Sequence, residues 1–396
     1  ERPVAMNATK LASKRAGFFA RFAAMAKVGL RMMFHDKLKM AGTLFGVVFA
    51  VVLSNQQLGT FLGLIYKNQM MLEITGMDLW IIPAGAETFA PGKVLPVTDA
   101  AVAETTPGVV WAEPMLLGAS TVKLPKGGTE GVTVVGTKFP RRLESEWQLI
   151  NGSLESLNRP DTMIFEDSER ETLGGLNLGS VREVGNRNVT VGGFTYGLIP
   201  FGPSYALADY ELARELLKTP NDQASYIAVR AKKGADLQTV KAGIQSKMSS
   251  SVVVTKDEFK GMIVKNILTK TAIGITFGTS TIFGLIVGFV IVSLSMFSSV
   301  VDNIREFGTL KAIGVTNGDL GMLLFVQSLA YGGIGSIIGL ALVTRMAAGI
   351  RSAKLALVLP PWLTFGTFFV MIGMCIFASS LALLRLRRVE PAMVFR

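Results

Sequence analysis

Residues 40–66 read MAGTLFGVVFAVVLSNQQLGTFLGLIY and carry no formal charge. Wound as a helix, such a stretch reaches about 40 Å, more than the roughly 30 Å of a bilayer's hydrocarbon core. No other feature restricts the chain as strongly. Lipid offers a backbone no hydrogen bonds, so a lone segment can cross only as a helix. Three further apolar runs follow, at 267–301, 320–343 and 362–384. The second reaches about 50 Å if helical and should project beyond the bilayer. The first could also continue through KNQMMLEITG as a stalk. Composition agrees with a membrane protein: 49% of residues are hydrophobic and 17% charged, against about 25% charged in soluble domains.

Proline divides the chain. There is none between Pro3 and Pro83 and none between Pro220 and Pro360. Proline breaks helix interiors, so these two regions can hold long helices while the middle must turn often. Within residues 67–266, VTVVGTKF (132–139), TMIFED (162–167), VTVGGFTYGL (189–198) and YIAVRAKK (226–233) have strand composition. SYALADYELARELLK (204–218) reads as a helix with Asp209 near its start. The stretch from Ser225 to Phe259 reads strand, helix, strand, a βαβ unit. The expected fold is an α-helical membrane protein of four transmembrane helices, with a large extracytoplasmic α+β domain between the first and the second.

Charge sets the expected orientation. Residues 67–266 hold 21 of the 40 bases and 23 of the 29 acids, so the net charge of +11 comes from the flanks. This distribution suits lipid headgroups and a positive-inside topology, not nucleic acid. The arm 1–39 carries nine Lys/Arg, and the tail 385–396 carries Arg385, Arg387, Arg388 and Arg396. Both are expected in the cytoplasm, which puts 302–319 inside and 344–361 outside. Arg345, Arg351 and Lys354 in that outer loop run against the rule, and could lie on the outer headgroups. Within the arm, Phe18, Phe22, Met25, Gly29 and Met33 share one helical face and Lys27 and Arg31 the other, as in an amphipathic helix on the membrane surface. The first strong apolar run starts near Met40, so no cleaved secretory signal is read ahead of it.

Several chemistries lack their residues. The sequence has no GxxxxGK[ST], no HExxH, one histidine (His35) and one cysteine (Cys375). It therefore offers no P-loop, no His-dependent triad or metal cluster and no internal disulfide. Glu166, Asp167, Glu169 and Glu171 form a carboxylate run, expected to be solvated. Ser54, Asn55, Gln56 and Gln57 close the first apolar run and must find partners or leave the membrane. Gly274/Gly278, Gly284/Gly288 and Gly335/Gly339 stand four apart, a spacing for close helix approach within the bundle, at a dimer seam or at a sliding gate.

Between the second and third runs lies NIREFGTLKAIGVTNGDL (303–320). Val300, Ile304, Phe307 and Gly314 fall on one helical side, and Asp302, Arg305 and Thr309 on the other. This is a short amphipathic helix suited to a partner's groove, ending where Gly314 and Asn317-Gly318 turn the chain.

The residues Arg305, Glu306, Phe307, Gly308, Leu310, Lys311, Ala312, Ile313 and Gly314 resemble the cytoplasmic loop of permeases in the MacB/FtsX-type ABC transporters. The layout of one span, a large outer domain and three spans is similar, as are Glu390, Pro391, Ala392 and Met393 in the tail. HDKLKMAGTLFGVVFAVVLSNQQLG looks like the DevC-like branch, permeases that work with a membrane-fusion adaptor. The resemblance implies a coupling helix on a separate ABC ATPase. Arg305, Glu306 and Lys311 would meet ATPase residues, and Phe307 and Leu310 would fill its groove. It implies ATP and Mg bound only by that subunit, a homodimer of this permease, and export of a lipid, glycolipid or peptide through an adaptor and an outer-membrane channel. The alternatives are release of lipoproteins, or a signalling permease that activates a cell-wall hydrolase.

Overall fold

The computed structural model describes residues 21–138, 148–200, 202–302, 304–349 and 357–386. Its helices are α1 (residues 21–35), α2 (Lys37–Thr75), α3 (Thr98–Glu104), α4 (Tyr210–Leu217), α5 (Leu237–Gln245), α6 (Lys256–Lys270), α7 (Ala272–Asp302), α8 (Ile304–Ala312), α9 (Asn317–Gly349) and α10 (Pro361–Leu386). The chain divides into two compact units. One is helical, with boundaries at Thr60, Thr276–Gly349 and Leu357. The other is an α/β unit, Phe61–Ile275. Among the described residues four helices are long and apolar enough to cross a membrane: α2, α7, α9 and α10.

The strands are β1 (Leu79–Pro83), β2 (Leu95–Pro96), β3 (Val109–Lys123), β4 (Thr129–Thr137), β5 (Leu149–Gly152), β6 (Thr162–Glu166), β7 (Val181–Val184), β8 (Arg187–Thr195), β9 (Tyr205–Ala208), β10 (Gln223–Ala224), β11 (Tyr226–Ala231) and β12 (Ser251–Thr255). Among the described residues the main sheet runs β12-β1-β11-β3-β4-β9-β6-β8-β5, with β7 bridging β3 and β8. Strand alternation sorts its side chains onto two faces. Trp80, Ile82, Met115, Leu117, Tyr226 and Ala228 enter a core shared with Met70, Met71 and Leu72 of α2 and with Phe259, Ile263 and Ile267 of α6. Leu79, Ile81, Ile227 and Val229 face the opposite way, against Val240 and Ile244 of α5. Farther along that side, Leu116, Val132 and Val134 pack on Leu212, Ala213 and Leu216 of α4.

Three expectations change in detail. Residues 204–218 split into strand β9 and helix α4, because Asp209 is the N-cap of α4 and accepts from Glu211 N at 3.1 Å. Strands β11 and β12 both pair antiparallel with β1, which lies between them, so the βαβ unit is a split one. The second apolar run is not one helix from 267 to 301. Helix α6 starts at Lys256 with a full capping box between Thr255 and Glu258 and stops at Thr271, which is extended (φ −109°, ψ 143°). Thr271 Oγ1 donates to Ile267 O at 2.6 Å, and α7 then begins at Ala272.

The carboxylate run is not uniformly solvated. Glu166 is fully buried. It accepts from Gly197 N at 2.6 Å, Leu198 N at 2.9 Å, Ser168 Oγ at 3.1 Å and Thr195 Oγ1 at 3.1 Å. Burial raises its pKa, and these hydrogen bonds oppose the rise. Lys67 of α2 donates to Gly197 O at 3.2 Å. Glu166 is thus an anchor for the turn after β8.

The helical unit is built on glycine notches. A Cβ on Gly46 of α2 would stand 2.3 Å from Ile291 of α7, and one on Gly288 of α7 would stand 2.3 Å from Ala50 of α2. Gly284 faces Leu53 in the same way, while Gly335 and Gly339 of α9 receive Val47 and Val51. Helix α2 therefore lies between α7 and α9. Helix α10 closes on α9 at Gly332, beside Ile372 and Cys375. The notches at Gly284, Gly288, Gly335 and Gly339 are filled from within this chain.

Candidate functional site

Helix α8 is short and would be marginal on its own, so its fixing matters. Phe307 is 2% exposed and belongs to the helical unit's core with Val300, Leu320, Leu323 and Leu324. Gly308 is buried beside it, and Ile304, Leu310 and Val315 pack partly against the same core. The C-terminus closes as a Schellman motif. Gly314 is left-handed at φ 100° and donates to Lys311 O at 3.0 Å, and Val315 N donates to Leu310 O at 3.0 Å. Helix α9 then starts with a reciprocal cap. Asp319 N donates to Thr316 Oγ1 at 3.2 Å, and Thr316 N donates to Asp319 Oδ2 at 3.0 Å.

The end of α7 is tied as well. Asp302 pairs with Lys39 at 2.7 Å and accepts from Ser298 Oγ at 3.0 Å, and the Lys39 bond leads in lowering its pKa. Lys39 also pairs with Asp36 at 3.1 Å. Helix α1 braces the same region: Gly29 abuts Leu323, and Gln327 Nε2 donates to Gly29 O at 2.9 Å. The apolar side of α1 at Gly29 and Met33 is thus covered by α9, while Lys27 and Arg31 stay exposed. Phe18 lies outside the described residues, as do Arg351, Lys354 and Glu390–Met393.

One face of α8 remains open. It carries Arg305, Glu306, Thr309, Ala312 and Ile313, all exposed. Phe307 is instead spent on the unit's own core, and Leu310 and Lys311 are half-buried. Sequence reasoning placed Arg305 and Thr309 on this side of the helix but did not place Ile313 there. Ile313 is 74% exposed. The signal was available, since 305, 309 and 313 repeat every four residues. The open face can offer a charged pair beside an unburied apolar side chain.

The polar cluster of the first span splits around its helix. Ser54 and Asn55 are buried, Gln57 is half-buried and Gln56 is exposed. Asn55 Nδ2 donates to Val51 O at 2.8 Å, and Thr367 Oγ1 of α10 reaches Asn55 Oδ1 at 3.5 Å. Ser54 Oγ is buried and makes no hydrogen bond among the described residues. The four residues do not converge on one surface.

A model of the FtsX-like permease C-terminal region matches residues 261–391. A model of the MacB-like periplasmic core domain matches residues 40–247, slightly more than half the chain. An uncharacterized ABC transporter permease of Methanocaldococcus jannaschii is 30% identical over 135 residues, 32% of this chain and 33% of the relative. The match thus spans about a third of that relative's length. Among solved structures, the periplasmic region of MacB from Actinobacillus actinomycetemcomitans is 12% identical with a TM-score of 0.37, covering 48% of this chain and 94% of that one. The extracellular domain of the noncanonic ABC-type transporter YknZ from Gram-positive bacteria is 14% identical with a TM-score of 0.34, covering 45% and 98%. The two family models between them take in strands β1 to β11 and helices α7, α8, α9 and α10, and the chain belongs to the MacB/FtsX family of ABC transporter permeases.

Proposed function

We propose that this permease couples ATP hydrolysis by a separate ATPase subunit to movement of its α/β unit. The α/β unit lies outside the cytoplasmic membrane and both termini lie in the cytoplasm. ATP and Mg are bound by the partner. The permease acts as a homodimer, and its cargo is a lipid, glycolipid or peptide passed to a membrane-fusion adaptor and an outer-membrane channel, as in the DevC-like branch. Release of lipoproteins and activation of a cell-wall hydrolase are the competing uses of the same coupling.

Helix α8 carries this reading. Its inner side is locked by Phe307, its C-terminus by the Gly314 motif and the next helix by Thr316–Asp319. A force applied at Arg305, Glu306, Thr309 or Ile313 therefore meets a fixed platform. Phe307 and Gly308 position the helix, while Arg305, Glu306 and Ile313 dock it. The linkage does work only if ATP binding favours one geometry of this platform over another.

The test is recovery of co-purifying chains from native membranes in mild detergent, identified by mass spectrometry. Glu306→Lys should lower recovery of a P-loop ATPase about tenfold or more, as loss of a close charge pair at an interface does. Glu306→Lys combined with Lys311→Glu that left ATPase binding and activity intact would sink the assignment. An adaptor among the recovered chains supports export. A cell-wall hydrolase in its place supports signalling.

A further inference from the structure

Helix α1 gives its inner face to α9, which leaves its outer face to be accounted for. Lys27, Arg31, Phe34 and His35 fall within one arc of that outer face at helical spacing, and all are exposed. Lys37 follows, also exposed, at the start of α2. Among the described residues no carboxylate pairs with Lys27, Arg31 or Lys37. The acids nearby are engaged: Asp36 caps α2 through Lys39 N at 3.1 Å and pairs with Lys39, which also holds Asp302.

An apolar track starts at the same corner. Leu38 is 85% exposed, Phe45 69% and Phe49 41%. Spacings of seven and four put them on one line of α2. The Phe45 and Phe49 rings stack at 6.3 Å between centroids. Lys37 thus stands beside Leu38 at the head of an exposed apolar track on a helix apolar enough to span a membrane, with Lys27 and Arg31 on the helix that precedes it.

We propose that the corner between α1 and α2 is a binding site for an anionic phospholipid. Lys27, Arg31 and Lys37 would take the phosphate and its negative headgroup, and an acyl chain would lie along Leu38, Phe45 and Phe49. Charge complementarity selects this occupant. A zwitterionic lipid would leave the excess of cations unmatched, whereas each cation beside an anionic headgroup adds to retention. The proposal goes beyond transport and does not depend on the ATPase.

The full chain, purified and stripped of lipid, is mixed with phosphatidylglycerol or with phosphatidylcholine of identical acyl chains, and bound lipid is counted by native mass spectrometry. Phosphatidylglycerol should be retained in preference, and the preference should fade as salt rises. Neutralising Lys27, Arg31 and Lys37 together to Gln should lower phosphatidylglycerol retention at least tenfold and leave phosphatidylcholine unchanged. If the triple variant does not fold, Arg31→Gln alone should lower it about fivefold. Phe45→Ala should weaken both lipids. Equal retention of the two lipids by the native chain overturns the proposal, as does a folded neutralised variant that keeps its preference. Loss of a co-purifying protein with phosphatidylglycerol retention intact would make the corner a protein contact and overturn it too.

Discussion

Two helical segments join apolar spans to the sheet, and they are built differently. Helix α2 runs unbroken from Lys37 to Thr75. The return path is two helices, α6 and α7, separated by the extended Thr271. Both α2 and α6 bury one side in the same core of the α/β unit, through Met70, Met71 and Leu72 on one and Phe259, Ile263 and Ile267 on the other. Glu73 ties them, pairing with Lys256 at 2.8 Å and Lys260 at 2.5 Å. A continuous helix transmits a push along its axis, whereas a break permits a change of angle. The first apolar run lies in one helix, whereas the second is divided between two helices at Thr271.

The contrast can be broken most severely by putting a joint into the rod. Tyr66 is exposed on α2, so Tyr66→Pro sacrifices little packing and mainly removes a backbone hydrogen bond. It should destabilise the chain by about 3 kcal/mol or more, read as a lowered unfolding midpoint of the purified protein, and should uncouple any ATPase activity from transport. If Tyr66→Pro leaves both unchanged, continuity of α2 is unimportant.

A smaller effect is expected at the joint. A Cβ on Gly274 would lie 2.7 Å from Ile267 O and 2.9 Å from Leu268 Cα. Both are backbone atoms and cannot swing aside, so Gly274→Ala must open the angle between α6 and α7. A cost of about 1–3 kcal/mol is expected, with spin labels on either side of Thr271 reporting a changed distance. An unchanged distance would mean that Gly274 does not set the angle.

The smallest effect concerns what holds α6 but not α2. Glu87, in the loop after β1, accepts from Lys270 Nζ and Asn266 Nδ2 at 2.6 and 2.7 Å. The Lys270 bond, then the Asn266 bond, lowers its pKa below the usual 4.5. A carboxyl depressed in the folded state adds stability above its unfolded pKa and loses it as pH falls through the folded value. Stability should therefore drop below about pH 4.5 in the native chain, and Glu87→Gln should flatten that part of the profile. A profile unchanged by Glu87→Gln would remove this strap from the account. Solvent screens the pair, so the effect at neutral pH should be slight.

Four long apolar runs and a resemblance to the family were legible in the sequence. Apolar runs of that length suit a bilayer, which a lone segment crosses only as a helix, and the proline-rich middle had to turn often. The motif at 305–314 was legible as an amphipathic helix because its period is local. The split of its residues between docking and packing was not. Phe307 and Ile313 are both apolar and six positions apart, and only the presence of α9 and the end of α7 makes one buried and the other bare. Glu166 looked like any surface acid, since the backbone donors at Gly197 and Leu198 come from a turn more than thirty positions away in sequence. The break at Thr271 was hidden inside an apolar run that reads as a single helix by composition. Local periodicity fixes what each segment is, because it depends on neighbours three or four residues away. Which face is covered, where a rod is broken and which charge is left open depend on contacts between distant segments, and these exist only once the chain has packed.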